Sequence, residues 1–286
     1  MNSNSSFYRV LLGGVGALAV AALLVAGCAP AEEAPAPEGG GETAAAGGEE
    51  EMAAEAPQDP EAGSNAIEAL QQGSATISGT ITYVGQVPSF QPINMDADPV
   101  CAEKHDEPVY PETLVLGDGN TVANIFVQVK DTFAQEDYPA PSAPVVVDQR
   151  GCLYHPHVVG VLAGQPLQFW NSDAILHNVH GTPSANREFN LGMPATLKEK
   201  SVTLNTPEEF VPVKCDVHPW MSAYVAVMTH PYFDVTTDDG RYEITVPPGT
   251  YTVEAWHERL GTRTSEVTVA DGETASVDFE LDVPQQ

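Results

Sequence analysis

The stretch DDGRYEITVPPGTYTVEAWHE, residues 238–258, decides the fold class. Arg241 to Val246 and Thr250 to Trp256 alternate polar with apolar side chains. Alternation at period two sets one face of a strand on a core and the other in water. Asp239-Gly240 before the first run and Pro248-Gly249 between the two supply tight turns. Downstream, Asp271-Gly272 leads into a run that ends Phe279-Glu280-Leu281. Upstream the same pattern recurs at Thr76 to Tyr83 and at Asn124 to Val129. Short alternating strands, with 24 Gly and 24 Pro in 286 residues, predict an all-β protein of antiparallel sandwiches and exclude a helical bundle.

Residues 238–258 together with EVTVADGETASVDFEL at 266–281 resemble the second half of carboxypeptidase regulatory-like (transthyretin-like) sandwich domains. Such domains open with a strand like Ser78-Gly79-Thr80-Ile81-Thr82, which here lies far upstream. The resemblance therefore implies one sandwich in two pieces, residues 75–134 and 230–286. A second domain, residues 135–229, is expected to be inserted in it or packed beside it.

That middle segment carries the chemistry. WNSDAILHNVH at 170–180 and CDVHPWM at 215–221 bring one thiolate, two imidazoles and one thioether to two strand ends and a short loop. A trigonal pair of histidines with a cysteine and a weak axial methionine is the donor set of blue-copper sites, whereas zinc favours a second cysteine or a carboxylate. The two stretches are similar to the metal-binding stretches of the amicyanin group of cupredoxins, whose loop runs Cys, two residues, His, two residues, Met. The resemblance implies a cupredoxin Greek-key sandwich holding one copper ion that alternates between Cu(I) and Cu(II). It implies His177, Cys215, His218 and Met221 as ligands and Asn178 as the residue hydrogen-bonded between the ligand loops. Met228 is a second choice of axial donor, but alternation places it in the closing strand.

Other candidates are less clustered. His155 and His157 share a strand face and offer a second metal site, as do Cys101 and His105. In an exported protein the leftover Cys101 and Cys152 are expected to pair as a disulfide. His180, three positions after His177, reads as a surface residue or one that supports the ligands from behind, and His257 as structural.

The N-terminus points to export. An apolar run at residues 10–27 follows Arg9 and ends Leu24-Val25-Ala26-Gly27-Cys28, which resembles a bacterial lipobox. Residues 1–27 read as a lipoprotein signal peptide and Cys28 as the acylated residue, with an uncleaved anchor helix as the other reading. Residues 28–74 are rich in Ala, Pro, Gly and Glu and are expected to be a disordered acidic linker. The location expected is the periplasmic or outer face of a bacterial membrane, lipid-anchored.

The chain has 40 acidic and 11 basic residues, a formal net charge of −29, which excludes nucleic acid as a partner. From residue 75 onward the balance is 29 acidic to 10 basic. For an electron carrier, His218 would lie near the surface, Pro219 and Trp220 would form an apolar entry patch, and a basic redox protein such as a c-type cytochrome would dock there. A copper storage or delivery protein and a non-redox envelope binding protein are the alternatives. An enzyme is not expected, because no haem-attachment pattern or nucleophile with a base is present.

Overall fold

A computed structural model describes residues 60–283 apart from 132, 135 and 136. The expected signal peptide at 1–27, the acylated Cys28 and most of the linker at 28–74 lie outside the described residues. Where the linker is described, it departs from the expected disorder. Residues Ala62–Glu68 form helix α1, and Ile67 on it is buried. Gly63 lets the helix touch the backbone of Pro144, since a Cβ there would meet the Pro144 oxygen at 2.0 Å. Beyond α1, Gln71 donates to the carbonyls of Pro231 and Phe233 and accepts from Thr245 N–H at 2.8 Å. The polar average of the linker hides one apolar pair, Ile67 and Leu70, which packs against the first core.

The strands begin with β1 (Ala75–Tyr83), after which a long connection carries the short helix α2 (Pro99–Ala102). β2 (Phe126–Val129), β3 (Val145–Arg150), β4 (Leu153–His155), β5 (Val158–Leu162) and β6 (Pro166–Asn171) follow. Next come β7 (His177–Gly181), β8 (Phe189–Met193), β9 (Glu199–Thr203), β10 (Glu208–Lys214) and β11 (Ser222–Met228). The chain ends with β12 (Phe233–Val235), β13 (Arg241–Val246), β14 (Gly249–His257), β15 (Gly261–Val269), β16 (Thr274–Ser276) and β17 (Phe279–Leu281).

The described chain is all-β with several sandwich-like sheets. β5-β11-β10-β7-β8 and β4-β3-β6-β9 are two sheets drawn wholly from residues 145–228. They share one core, in which Val147, Tyr154, Val161, Leu167, Phe169 and Val225 are buried. β12-β2-β14-β15 and β13-β1-β16, with β17 also paired to β1, form two further sheets around a second core of Ile77, Ile81, Val127, Ile244 and Val253. β1 runs antiparallel to β13 with Ile77 opposite Ile244, and parallel to β16 and β17. A strand from residue 75 thus completes a sheet made otherwise from the last 50 or so residues. The turns at Asp239-Gly240 and Asp271-Gly272 have glycine φ values of +67° and +71°, which L side chains rarely adopt.

Aromatic rings carried by the second pair of sheets pack into the first core. Phe210 of β10 stacks on Trp256 of β14 at 3.5 Å with an 8° tilt, and Phe126 of β2 meets Phe210 edge-on at 5.5 Å. Gly160 of β5 is required at this seam, because a Cβ would lie 2.3 Å from the Phe233 ring.

His257 is structural. Its Nδ1 accepts the N–H groups of Arg259 and Leu260 at 3.2 Å and so closes the β14–β15 turn. Burial lowers its pKa to about 4 and does the same to His230. The unfolded chain binds these two protons at pH values where the folded chain refuses them. These two groups therefore cost nothing above about pH 6.5 and lower stability as pH drops towards 4, by up to about 1.4 kcal/mol per pH unit for each group. His257→Asn keeps an acceptor in the turn and removes one share of that slope; urea unfolding at neutral and mildly acid pH measures it, and an unchanged slope contradicts the assignment.

Candidate metal centre

Two loops at one end of the first pair of sheets bring the donors together. The loop before β7 is tied down by Asn171, whose Nδ2 donates to Ile175 O at 2.9 Å and Met193 O at 3.1 Å, and it delivers His177 as the first residue of β7. The other loop joins β10 to β11. Cys215 N–H donates to Met221 O at 3.2 Å and Met221 N–H to His218 O at 2.9 Å, which closes Cys215 to Met221 into a compact turn.

His177 Nδ1 lies 2.9 Å from His218 Nδ1, and Cys215 Sγ lies 3.9 Å from His218 Nδ1. One donor atom from each of His177, Cys215 and His218 falls within 4.8 Å of the others. All three residues and Met221 are at most 1% exposed. The donor chemistry fits a soft or borderline metal: one sulfur and two imidazole nitrogens in a pocket shielded from water, with a thioether residue at the end of the same loop.

In the metal-free protein the electrostatics favour a thiolate at Cys215 and a protonated imidazole at His177, whose proton an incoming metal must displace. Burial works against ionising Cys215, but the His177 imidazole and the backbone N–H groups of Asn178, His218 and Val217 more than offset it and hold the thiol below its ordinary range. His218 N–H donates to Cys215 Sγ at 3.4 Å. Burial likewise opposes the charged form of His177, yet Asp173 and Cys215 outweigh it and raise its pKa. Burial and the nearby charges of Cys215 and Asp216 push Tyr154 far up, so its hydroxyl stays protonated and donates to Asn178 O at 2.6 Å.

Asn178 sits between the two ligand loops. Its Oδ1 accepts Asp216 N–H at 2.7 Å and the Cys215 thiol at 3.4 Å, and its Nδ2 donates to Asn190 Oδ1 at 2.8 Å and Asp216 Oδ2 at 3.2 Å. Asp216 also meets His180, so His180 is a partly exposed bridge between Asp216 and Glu188.

The expectation that His218 lies near the surface is corrected. It is buried beneath Asp98, whose Oδ2 lies 3.0 Å from His218 Nε2. Pro219 is exposed, but Trp220 is half-buried and its N–H donates to Cys152 O at 3.1 Å. Asp98 and Asp173, which lies 2.9 Å from His177 Nε2 through Oδ2, are the residues that sequence reading passes over. Asp173 stands four positions before His177, close enough to notice; Asp98 stands 120 positions from His218 with no local signal.

Cys101 and Cys152 form a disulfide, which removes Cys101 from any site with His105. His105 Nε2 instead donates to Gly151 O at 2.7 Å. His155 and His157 do not converge on a metal site among the described residues. His157 Nδ1 donates to Ser222 O at 2.9 Å, and its Nε2 pairs with Glu258 at 2.5 Å. Met228 pairs across β11 with Leu162 of β5, away from the loop.

The carboxypeptidase regulatory-like domain family matches residues 219–282, in keeping with the resemblance read from the C-terminal strands. A search of curated proteins finds no match. Among solved structures, a Cu-containing nitrite reductase from Thermus scotoductus SA-01 is 21% identical at a TM-score of 0.28, over 30% of this chain and 22% of its own. This chain thus spans about a fifth of that reductase. An oxidized proline-to-alanine variant of amicyanin is 23% identical at a TM-score of 0.28, over 36% of this chain and 98% of its own. A reduced tryptophan-to-tyrosine variant of amicyanin is 25% identical at 0.27, with the same coverage.

Asn178→Ala removes the acceptor of the part-buried Asp216 N–H and the link between the loops. It is expected to lower the stability of the metal-free protein by about 1–3 kcal/mol, the usual penalty for an orphaned polar group. Chemical denaturation measures this, and a change below about 0.5 kcal/mol contradicts the bridging role.

Proposed function

We propose that this chain is an exported, membrane-tethered blue-copper protein of the cupredoxin type that carries single electrons between redox proteins. The observation that carries the reading is the convergence of His177 Nδ1, His218 Nδ1 and Cys215 Sγ in a buried pocket at the end of a β-sandwich. His177, Cys215 and His218 would hold one copper ion, with Met221 as the weak fourth ligand. Bound copper supplies a reversible one-electron couple between Cu(I) and Cu(II).

The protein's own contribution is to fix the donors before the metal arrives. The loop hydrogen bonds among Cys215, His218 and Met221, and the bridge through Asn178, hold the donor positions on rigid strands. A site that barely changes with oxidation state needs little rearrangement to exchange an electron. Burial of all four residues favours retention of the ion over its release, which supports electron carriage over storage or delivery.

Cys28 would carry the lipid that tethers the chain to the periplasmic or outer face of a bacterial membrane, and the segment after it would act as a spacer. The acidic excess in the folded region favours a partner with a basic docking face, such as a c-type cytochrome, by steering encounter. Exposed Pro219, with Leu176 and Val217 beside the two histidines, supplies apolar surface for that encounter.

Addition of Cu(II) to the full protein is expected to give an intense blue thiolate-to-copper absorption at one ion per chain. Cys215→Ser should abolish the colour, and His177→Ala should weaken or shift it. A colourless copper-bound wild type contradicts the reading.

A further inference from the structure

Both imidazoles of the centre are gripped on the side away from the donor cluster. Asp173 Oδ2 lies 2.9 Å from His177 Nε2, and Asp98 Oδ2 lies 3.0 Å from His218 Nε2. A neutral imidazole carries one N–H, so a carboxylate at Nε2 fixes that proton there and leaves a lone pair on Nδ1. In each ring it is Nδ1 that faces the cluster.

Each carboxylate is itself held. Asp173 Oδ1 accepts Gly151 N–H at 2.7 Å, its Oδ2 accepts Cys152 N–H at 2.8 Å, and Lys104 pairs with it at 3.2 Å. Asp98 caps α2, its Oδ1 accepting Val100 N–H at 3.2 Å. The segment carrying Asp98 is fastened to the segment under Asp173 by the Cys101–Cys152 disulfide, by Lys104 and by the His105 to Gly151 hydrogen bond. The two sulfurs of that disulfide are packed against the site: Cys101 lies within 4.8 Å of Asp98 and His218 donor atoms, and Cys152 within the same distance of those of Asp173 and His177.

We propose that Asp98 and Asp173 are positioning residues of the metal centre, each setting the tautomer and ring orientation of one histidine, and that the disulfide-fastened segment around α2 is the cap that holds Asp98 over His218. This rests on the reading of the site as a copper centre. Two carboxylates one imidazole away from the ion stabilise its more positive state, so they raise Cu(II) affinity and lower the reduction potential.

The test compares wild type with Asp98→Asn, Asp173→Asn and Glu103→Gln in the full protein loaded with copper. Asn keeps the side-chain shape and removes the charge. Glu103 is exposed at the end of α2, and its substitution removes one charge from the same segment without touching a histidine. Each Asp variant is expected to bind Cu(II) about 10- to 100-fold more weakly, the usual effect of losing a partner of a ligating histidine. Its midpoint potential should shift upward, while Glu103→Gln stays near wild type. In the Cu(I)-loaded protein, NMR should show the Nε2–H protons of His177 and His218 both protected from exchange, and each Asp variant should lose the protection at its own histidine. Asp98→Asn decides the matter alone if Asp173→Asn does not fold, because Asp98 lies on the partly exposed side with its side chain 34% accessible. A blue wild type with unchanged affinity, potential and proton protection in Asp98→Asn overturns the inference and leaves the copper centre standing. A wild type that takes up no copper overturns both.

Discussion

Two imidazole nitrogens 2.9 Å apart can share only one proton, and that constraint organises this protein. His177 Nδ1 and His218 Nδ1 face one another in a pocket from which water is excluded, with the Cys215 sulfur beside them. At least one nitrogen lone pair must therefore point inward. A neutral hydrophobic packing arrangement would not place three donor atoms together in this way, because burying polar groups without full partners is unfavourable. A borderline cation that replaces the shared proton satisfies both nitrogens and the sulfur together.

The scaffold serves this arrangement at three levels. Sheets packed on an apolar core keep β7, β10 and β11 in register, so that the ligand loops start from fixed points. Asn178 and Asn171 then tie the loops to each other and to neighbouring backbone. Finally, the long connection between β1 and β2 folds over the pocket and is fastened there by a disulfide spanning 51 residues of sequence. In the chain-entropy account a loop of that length is worth about 4 kcal/mol. That connection, whose Met95 and Cys101 are buried in the first core, thus supplies part of the wall of the donor pocket through Asp98 and Cys101.

How much of this is legible in the chain depends on which physical signal each element leaves. β1, β13 and β14 are half-buried and alternate, so period-two reading finds them to within a residue. β3 and β5 are buried on nearly every residue and lose the alternation, while β9 is a short polar strand with only Lys200 and Val202 partly covered. α1 is concealed by the composition around it, since Ile67 and Leu70 are two apolar side chains in a polar tract. At the centre, the donor residues are visible because Cys215, His218 and Met221 lie within one loop and His177 in a recognisable stretch. The burial of His218 is not visible, because the residue that covers it comes from the far side of the fold.

The account's central claim is that one sulfur and two imidazole nitrogens bind the metal together. Copper K-edge X-ray absorption on the metal-loaded protein tests it most directly. The predicted result is a first shell of one short copper–sulfur bond and two copper–nitrogen bonds, from which Cys215→Ser removes the sulfur. A shell of nitrogen and oxygen alone, unchanged by that substitution, would contradict it.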